Sequence, residues 1–319
     1  MSIFSDTERE LVVSARHMLS PRIAGFSLAS PAGRPLPEWT AGSHIDLILP
    51  DGRERQYSLC GDPSVRDSWH IAVLREDDGD GGGSAAVHRL QVGELVRVRG
   101  PRSNFPFPQP VAGERVILAA GGIGITPMRA MVFAAATAGA EWTLDYAGRA
   151  PDEMAFADEL AARHPDRVRV HAGTRQERLD VERLVHDRGD GRIWACGPRR
   201  FLDAFTEACS SQPEDVLTIE PFESSIEQHQ PDVPFDVEIA SSGAVISVPV
   251  GMSALSAIEE QGIYVPASCR EGRCGTCETV VIDGDVDHRD VVLSPREKAQ
   301  SLVMMVCVSR ASGRLVVDL

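Results

Sequence analysis

Four cysteines toward the carboxyl end carry the sharpest chemical pattern in the chain: Cys269-x4-Cys274-x2-Cys277-x29-Cys307, within SCREGRCGTCET and MVCVSR. This is the plant-type spacing of four thiolates around a [2Fe–2S] cluster, with three on one tight loop and the fourth from a distant strand. Gly272 and Gly275 let the loop reach positive φ and turn its N–H groups toward the sulfurs. The rival is a four-cysteine zinc site, but zinc modules usually pair two short C-x2-4-C knuckles, and only one such pair stands here beside an x4 gap. A Rieske centre would need Cys-x-His pairs, and none of the seven cysteines is followed two positions later by histidine. Arg270 and Arg273 are expected on the exposed rim, as solvated charge or as contacts for an acidic partner surface.

Other residues point to phosphate and ring recognition. Arg55-Gln56-Tyr57-Ser58-Leu59 can supply a phosphate-pairing guanidinium at Arg55, a ring at Tyr57 to cover an isoalloxazine, and a hydroxyl at Ser58 near its redox edge. An ordinary amphipathic strand is the alternative. Gly82-Gly83-Ser84 opens a predicted helix, Ala85 to Leu90, as an anion site or as a hairpin tip beside Asp77, Asp78 and Asp80. Gly121-Gly122-Ile123-Gly124-Ile125-Thr126-Pro127 follows the apolar run VILAA and opens another helix, where a dinucleotide pyrophosphate can approach the backbone. A tight packing turn is the competing reading. Cys196-Gly197-Pro198 ends a later strand just before a helix, so both glycine turns face one crevice at the carboxyl ends of a parallel sheet.

These motifs carry a resemblance. PASCREGRCGTC, DGDVDHRDVVLS and MVCVSRA are similar to the ferredoxin domain of the phthalate dioxygenase reductase family, which includes vanillate demethylase reductase components, and the resemblance continues along nearly the whole chain. It implies NADH as hydride donor, FMN as flavin with FAD the alternative, and a [2Fe–2S] cluster held by Cys269, Cys274, Cys277 and Cys307. It also implies that Arg55, Tyr57, Ser58, Gly82, Gly83 and Ser84 hold the flavin, and that Gly121, Gly122, Gly124, Thr126, Pro127, Cys196, Gly197 and Pro198 hold the nicotinamide nucleotide. Cys196 would lie near the nicotinamide, and Phe222 of Glu220-Pro221-Phe222 would pack at the flavin or in the core. Arg149, after Tyr146-Ala147-Gly148, would lie near the adenosine half. His288 of DHRD is expected in turn or surface structure. The chemistry belongs to the cofactors, so no catalytic acid–base dyad is required.

The elements that must position these residues divide the chain in three. Short strands around Leu11 to Leu19, His44 to Leu49, Gln56 to Cys60, His70 to Arg75 and Glu94 to Arg99 predict an antiparallel barrel, the flavin domain, over 1–107. Apolar strands at Val116 to Ala120, Trp142 to Tyr146, Val168 to Ala172, Arg192 to Cys196 and Val216 to Ile219 alternate with helices at Pro127 to Ala138, Ala155 to Arg163, Asp180 to Val185 and Arg199 to Ala208. That alternation predicts a parallel-sheet α/β nucleotide domain over 108–222. The polar stretch 223–234 reads as a linker. A hairpin over FDVEIA and AVISVPV, a helix at Ser253 to Glu260, and strands at Glu278 to Ile282, Val303 to Val308 and Arg314 to Asp318 form the last domain, 235–319, a β-grasp ferredoxin fold by resemblance.

Composition bounds the partners. The 319 residues suit two or three domains. With 43% hydrophobic residues and mean hydropathy −0.13, the chain can bury sizeable cores. A net charge of −15 argues against general affinity for nucleic acid or anionic lipid. Residues 233–319 hold 12 acidic and 7 basic side chains, net −5, leaving −10 in the rest, so the acidity does not single out the cluster domain. The start MSIFSDTERE lacks a signal-peptide pattern and no membrane span is read, so a cytoplasmic protein is expected. The expected partner is a Rieske-type oxygenase or demethylase acting on an aromatic compound. The alternatives are a cytochrome P450 or a separate ferredoxin as acceptor, and, outside enzymes, a redox-sensing or binding module.

Overall fold

The computed structural model describes residues 7–50, 54–76, 83–175, 178–222, 232–267, 270, 272, 275–293 and 295–319. Cys269, Arg273, Cys274, Gly82, the three aspartates before it and most of the predicted linker lie outside the described residues. The chain divides into two compact units, Met1–Glu223 and Ser224–Leu319.

The first unit begins with β1 (Glu8–Ser20), β2 (Ile23–Ala29), β3 (Ser43–Ile48), β4 (Glu54–Ser58), β5 (Ser68–Leu74), α1 (Gly83–His88) and β6 (Leu95–Ser103). The strands form an antiparallel sheet in the order β4-β3-β6-β1-β2-β5. It closes into a barrel where the Cys60 amide, just past β4, donates to the His70 carbonyl of β5 at 2.9 Å. The sequence reading missed β2. Its residues Ile23 to Leu28 are buried in succession, so it lacks the inside–outside alternation that marks a half-exposed strand.

The chain continues through β7 (Arg115–Gly121), α2 (Ile125–Ala138), β8 (Glu141–Gly148), α3 (Ala157–Arg163), β9 (Val168–Ala172), α4 (Val181–His186), β10 (Arg192–Gly197), α5 (Arg199–Ala208) and β11 (Leu217–Pro221). The five strands are parallel in the order β11-β10-β7-β8-β9, as the alternation required. β7 is buried on both faces, which is why it reads as an unbroken apolar run. Asp180 caps α4 by accepting the Arg183 amide at 2.9 Å, a bond worth about 1 kcal/mol. Barrel and parallel sheet share one core that runs from Leu11 through Ile45 and Leu118 to Cys196. At the join, the Trp194 indole donates to the Pro106 carbonyl at 3.0 Å and meets Phe107 edge-on at 4.9 Å.

The second unit contains β12 (Phe235–Ile239), β13 (Ala244–Val248), α6 (Ala254–Glu260), β14 (Glu278–Asp283), β15 (Val286–Asp287), α7 (Pro295–Gln300), β16 (Val303–Met305), β17 (Arg310–Ala311) and β18 (Arg314–Val317). Its main sheet runs β13-β12-β18-β14-β16, with β12 and β18 parallel, and β15 pairs with β17. A separate core of Val237, Leu255, Ile258, Met304 and Leu315, among others, lies beneath α6. β16 is shorter than predicted: the amides of Val308 and Ser309 both turn back to the Met305 carbonyl, so Cys307 sits in a turn beyond the strand.

Candidate cofactor sites along the electron path

The flavin-type residues converge at the end of β4. A Cβ placed on Gly83, the first residue of α1, would lie 2.2 Å from Nε of Arg55. The guanidinium arm therefore crosses the start of α1 at a spot where a side chain on residue 83 would have to push it aside, bringing the RQYSL arginine to the glycine–serine turn. Ser84 Oγ accepts the Glu76 amide at 3.1 Å, and His88 fastens the other end of α1 to the Val73 carbonyl at 2.8 Å. Ser58 is buried, while Tyr57 and Phe222 are half-buried against the shared core. A planar ring and its phosphate suit this combination of aromatic cover, hydroxyl and cation.

The two nucleotide turns touch. β7 and β10 are the neighbours at which the strand order reverses, and Cys196 pairs in register with Ala120. A Cβ on Gly124 would meet the Cys196 carbonyl oxygen at 2.1 Å, and one on Gly197 would stand 3.0 Å from Gly121 Cα. Gly122 has φ +58 and open space where a side chain would be. Thr126 is buried and its hydroxyl donates to the Ile123 carbonyl at 3.0 Å, fixing the turn and leaving the α2 start without a side-chain cap. Such a crevice at the switch point of a parallel sheet is where a dinucleotide binds.

Glu220 was legible only as part of EPF. In the structure it pairs in register with Cys196, whose thiol lies 3.9 Å from a Glu220 carboxylate oxygen. Arg149 is exposed and its carbonyl accepts the Thr174 amide, whereas Tyr146 is fully buried and belongs to the core. Cys60 is also buried, and loss of solvent pushes its thiol up to about 12 despite Arg129 nearby, so it is inert.

In the second unit Cys277 and Cys307 are both buried. The Val306 amide donates to the Cys277 carbonyl at 3.4 Å, which brings the chain positions beside the two thiols together. Gly272 and Gly275 have φ +68 and +73, the left-handed conformations expected of a loop that turns its amides toward thiolates. Two buried thiols beside a loop of this conformation suit the thiolate ligation of a [2Fe–2S] group. Arg270 is exposed as expected, but it is paired bidentately with Glu259 at 3.0 and 2.7 Å. His288 lies in the DHRD segment with its side chain only 7% exposed.

Comparison with known proteins agrees with this arrangement. Residues 237–312 match the 2Fe-2S iron-sulfur cluster binding domain family. The solved structure of phthalate dioxygenase reductase, described as modular for electron transfer from pyridine nucleotides to [2Fe-2S], is 33% identical, covers 98% of each chain and superposes with a TM-score of 0.80. The chain belongs to the phthalate dioxygenase reductase-like family. Another relative is the reductase subunit of tert-butanol monooxygenase / tert-amyl alcohol desaturase from Aquincola tertiaricarbonis, 40% identical over 93% of this chain and 92% of that one. The full-length CYP116B46 structure from Tepidiphilus thermophilus is 38% identical with a TM-score of 0.78; the match covers 98% of this chain and 42% of that one. Members of this phthalate dioxygenase reductase-like family are oxidoreductases, and this one is the reductase component of an oxygenase system, moving electrons from reduced nicotinamide through a flavin and a [2Fe–2S] cluster. Among the described residues no helix is long and apolar enough to cross a membrane.

Proposed function

We propose that this chain is cytoplasmic, takes a hydride from NADH onto FMN and delivers single electrons through its cluster to a Rieske-type oxygenase or demethylase that acts on an aromatic compound. The observation that carries this reading is that one continuous core supports both the flavin strand and the paired glycine turns, in a chain that also holds the four-cysteine motif. When bound, the flavin accepts two electrons together and releases them one at a time, which lets a hydride donor serve a one-electron carrier.

The residues do the placing. Arg55 pairs with the flavin phosphate, Gly83 leaves room for that arm, and Tyr57 with Phe222 covers the ring. The turns at Gly121 to Pro127 and Cys196 to Pro198 hold the pyrophosphate and bring the nicotinamide beside Cys196, whose thiol proton faces Glu220. A terminal phosphate at Arg55 suits FMN; FAD would have to extend past it. The working division is a flavin barrel over 1–107, a nucleotide domain over 108–222, a linker over 223–234 and a ferredoxin domain over 235–319.

Anaerobic titration of the purified protein with NADH, together with flavin identification and iron and sulfide assays, tests the scheme. The flavin absorbance should bleach first and the cluster should follow. Absence of flavin, or a flavin that bleaches while the iron stays oxidised, rules the scheme out. Cys274→Ser should spare NADH-dependent flavin reduction and block transfer to the partner.

A second acceptor class has an observation behind it. The relative from Tepidiphilus is a single chain that carries a region matching 98% of this one beside a cytochrome P450. Reconstituted turnover with a Rieske oxygenase and with a P450 distinguishes the two.

A further inference from the structure

Asp290 lies in the turn DHRD, distant in sequence from every cluster cysteine, yet its carboxylate is fully buried. One oxygen accepts the amides of Val292 and Leu293 at 3.1 and 2.8 Å. The other accepts the Ser309 hydroxyl at 3.5 Å and faces His288 Nδ1 at 3.6 Å. Ser309 is two residues beyond Cys307, and its amide closes the turn that carries that cysteine. Asp290 thus holds the arm of the fourth ligand.

The same residue meets the three-cysteine loop. Gly272 lies between Cys269 and Cys274, and its carbonyl accepts the Val291 amide at 3.0 Å. A Cβ on Gly272 would lie 3.0 Å from Asp290 Cα and 2.5 Å from a Val308 methyl group, so the loop apex is wedged between Asp290 and the neighbour of Cys307. The outer side of the turn is fastened by Lys298, the only lysine in the chain, whose ammonium donates to the Asp290 carbonyl.

We propose that Asp290 and Lys298 are positioning residues for the cluster: Asp290 holds the two ligand arms in register, and Lys298 holds Asp290. The inference rests on reading Cys269, Cys274, Cys277 and Cys307 as cluster ligands. Outer partners of metal ligands typically tune affinity by 10–100-fold, and net charge near a cluster sets its potential. The buried carboxylate is therefore both a mechanical joint and a negative charge placed between the segment that carries Cys307 and the loop at Gly272.

The test uses the full chain bearing Asp290→Asn, Lys298→Met or Lys298→Arg. Iron release to a chelator should accelerate at least about tenfold in Asp290→Asn and Lys298→Met and return to near the parent rate in Lys298→Arg. The reduced-cluster EPR spectrum should change and the midpoint potential rise in Asp290→Asn, because a buried negative charge is removed. NADH reduction of the flavin should stay unchanged, since these residues lie in the other compact unit. Folded variants that release iron at the parent rate with parent spectra overturn the proposal. So does faster release with an unchanged spectrum and potential and no rescue by arginine, which marks mere loosening of the fold. A parent chain without iron and sulfide would instead refute the ligand reading. If Asp290→Asn fails to fold, the Lys298 pair decides.

Discussion

A methyl group at position 124 would meet the Cys196 carbonyl oxygen at 2.1 Å and the adjoining carbon at 2.5 Å, main-chain atoms that cannot swing aside. Gly124→Ala should therefore force the two nucleotide turns apart and raise the NADH dissociation constant at least about tenfold, equivalent to about 1.4 kcal/mol, while the bound flavin keeps its spectrum. Gly122→Asn is the control: its φ of +58 is one asparagine tolerates and the space beside it is open, so binding should weaken far less. Equal losses in the two variants would show that the turns are not held by this contact. At this scale the sequence was informative wherever function depends on spacing along the chain, as with the cysteines and the glycine turns. It was silent on Glu220 and Asp290, whose roles arise from strand register and from loops meeting across the fold.

The short helix α1 shows how an element can carry a pH response. His88 anchors it to β5, and burial first of all, helped by Arg75 and Arg16 and opposed by the bond to Val73, holds its imidazole below the ordinary value of 6.5. The folded state favours the neutral ring, so the stabilisation is complete above pH 6.5 and is lost as pH falls from there through the folded value. Flavin release followed by fluorescence should increase over that interval in the parent chain and flatten in His88→Gln, whose amide can still donate to Val73. An unchanged slope would remove His88 from the account. Among elements, α5 was read to the residue because its apolar side chains recur on one face, and α4 and α6 to within one residue at each end, where Asp180 and Ser253 cap them. β2 escaped because burial on both faces erases periodicity, and the end of β16 because a turn bond replaces the ladder.

Across the whole molecule, two compact units, Met1–Glu223 and Ser224–Leu319, hold the three stretches that motif order suggests. The barrel and the parallel sheet contribute to one buried cluster, the parallel sheet packs a second with α4 and α5, and the second unit has its own. Calorimetry of the full chain should resolve two transitions, and stripping the iron should lower the midpoint of one of them only, since metal binding adds to the stability of the unit that holds it. A single transition, or two that move together, would contradict the division. The change of pattern near Pro101 to Pro110 marks the passage from antiparallel to parallel strands, and Trp194 and Phe107 draw that connector into the shared core. This stitching bears on descent and on engineering. A gene fusion or a laboratory chimaera can exchange the iron–sulfur unit at the seam after Glu223 and leave every core whole. A crossover at residue 107 would need its new neighbour to supply a matching tryptophan, a matching carbonyl and half of a hydrophobic interior.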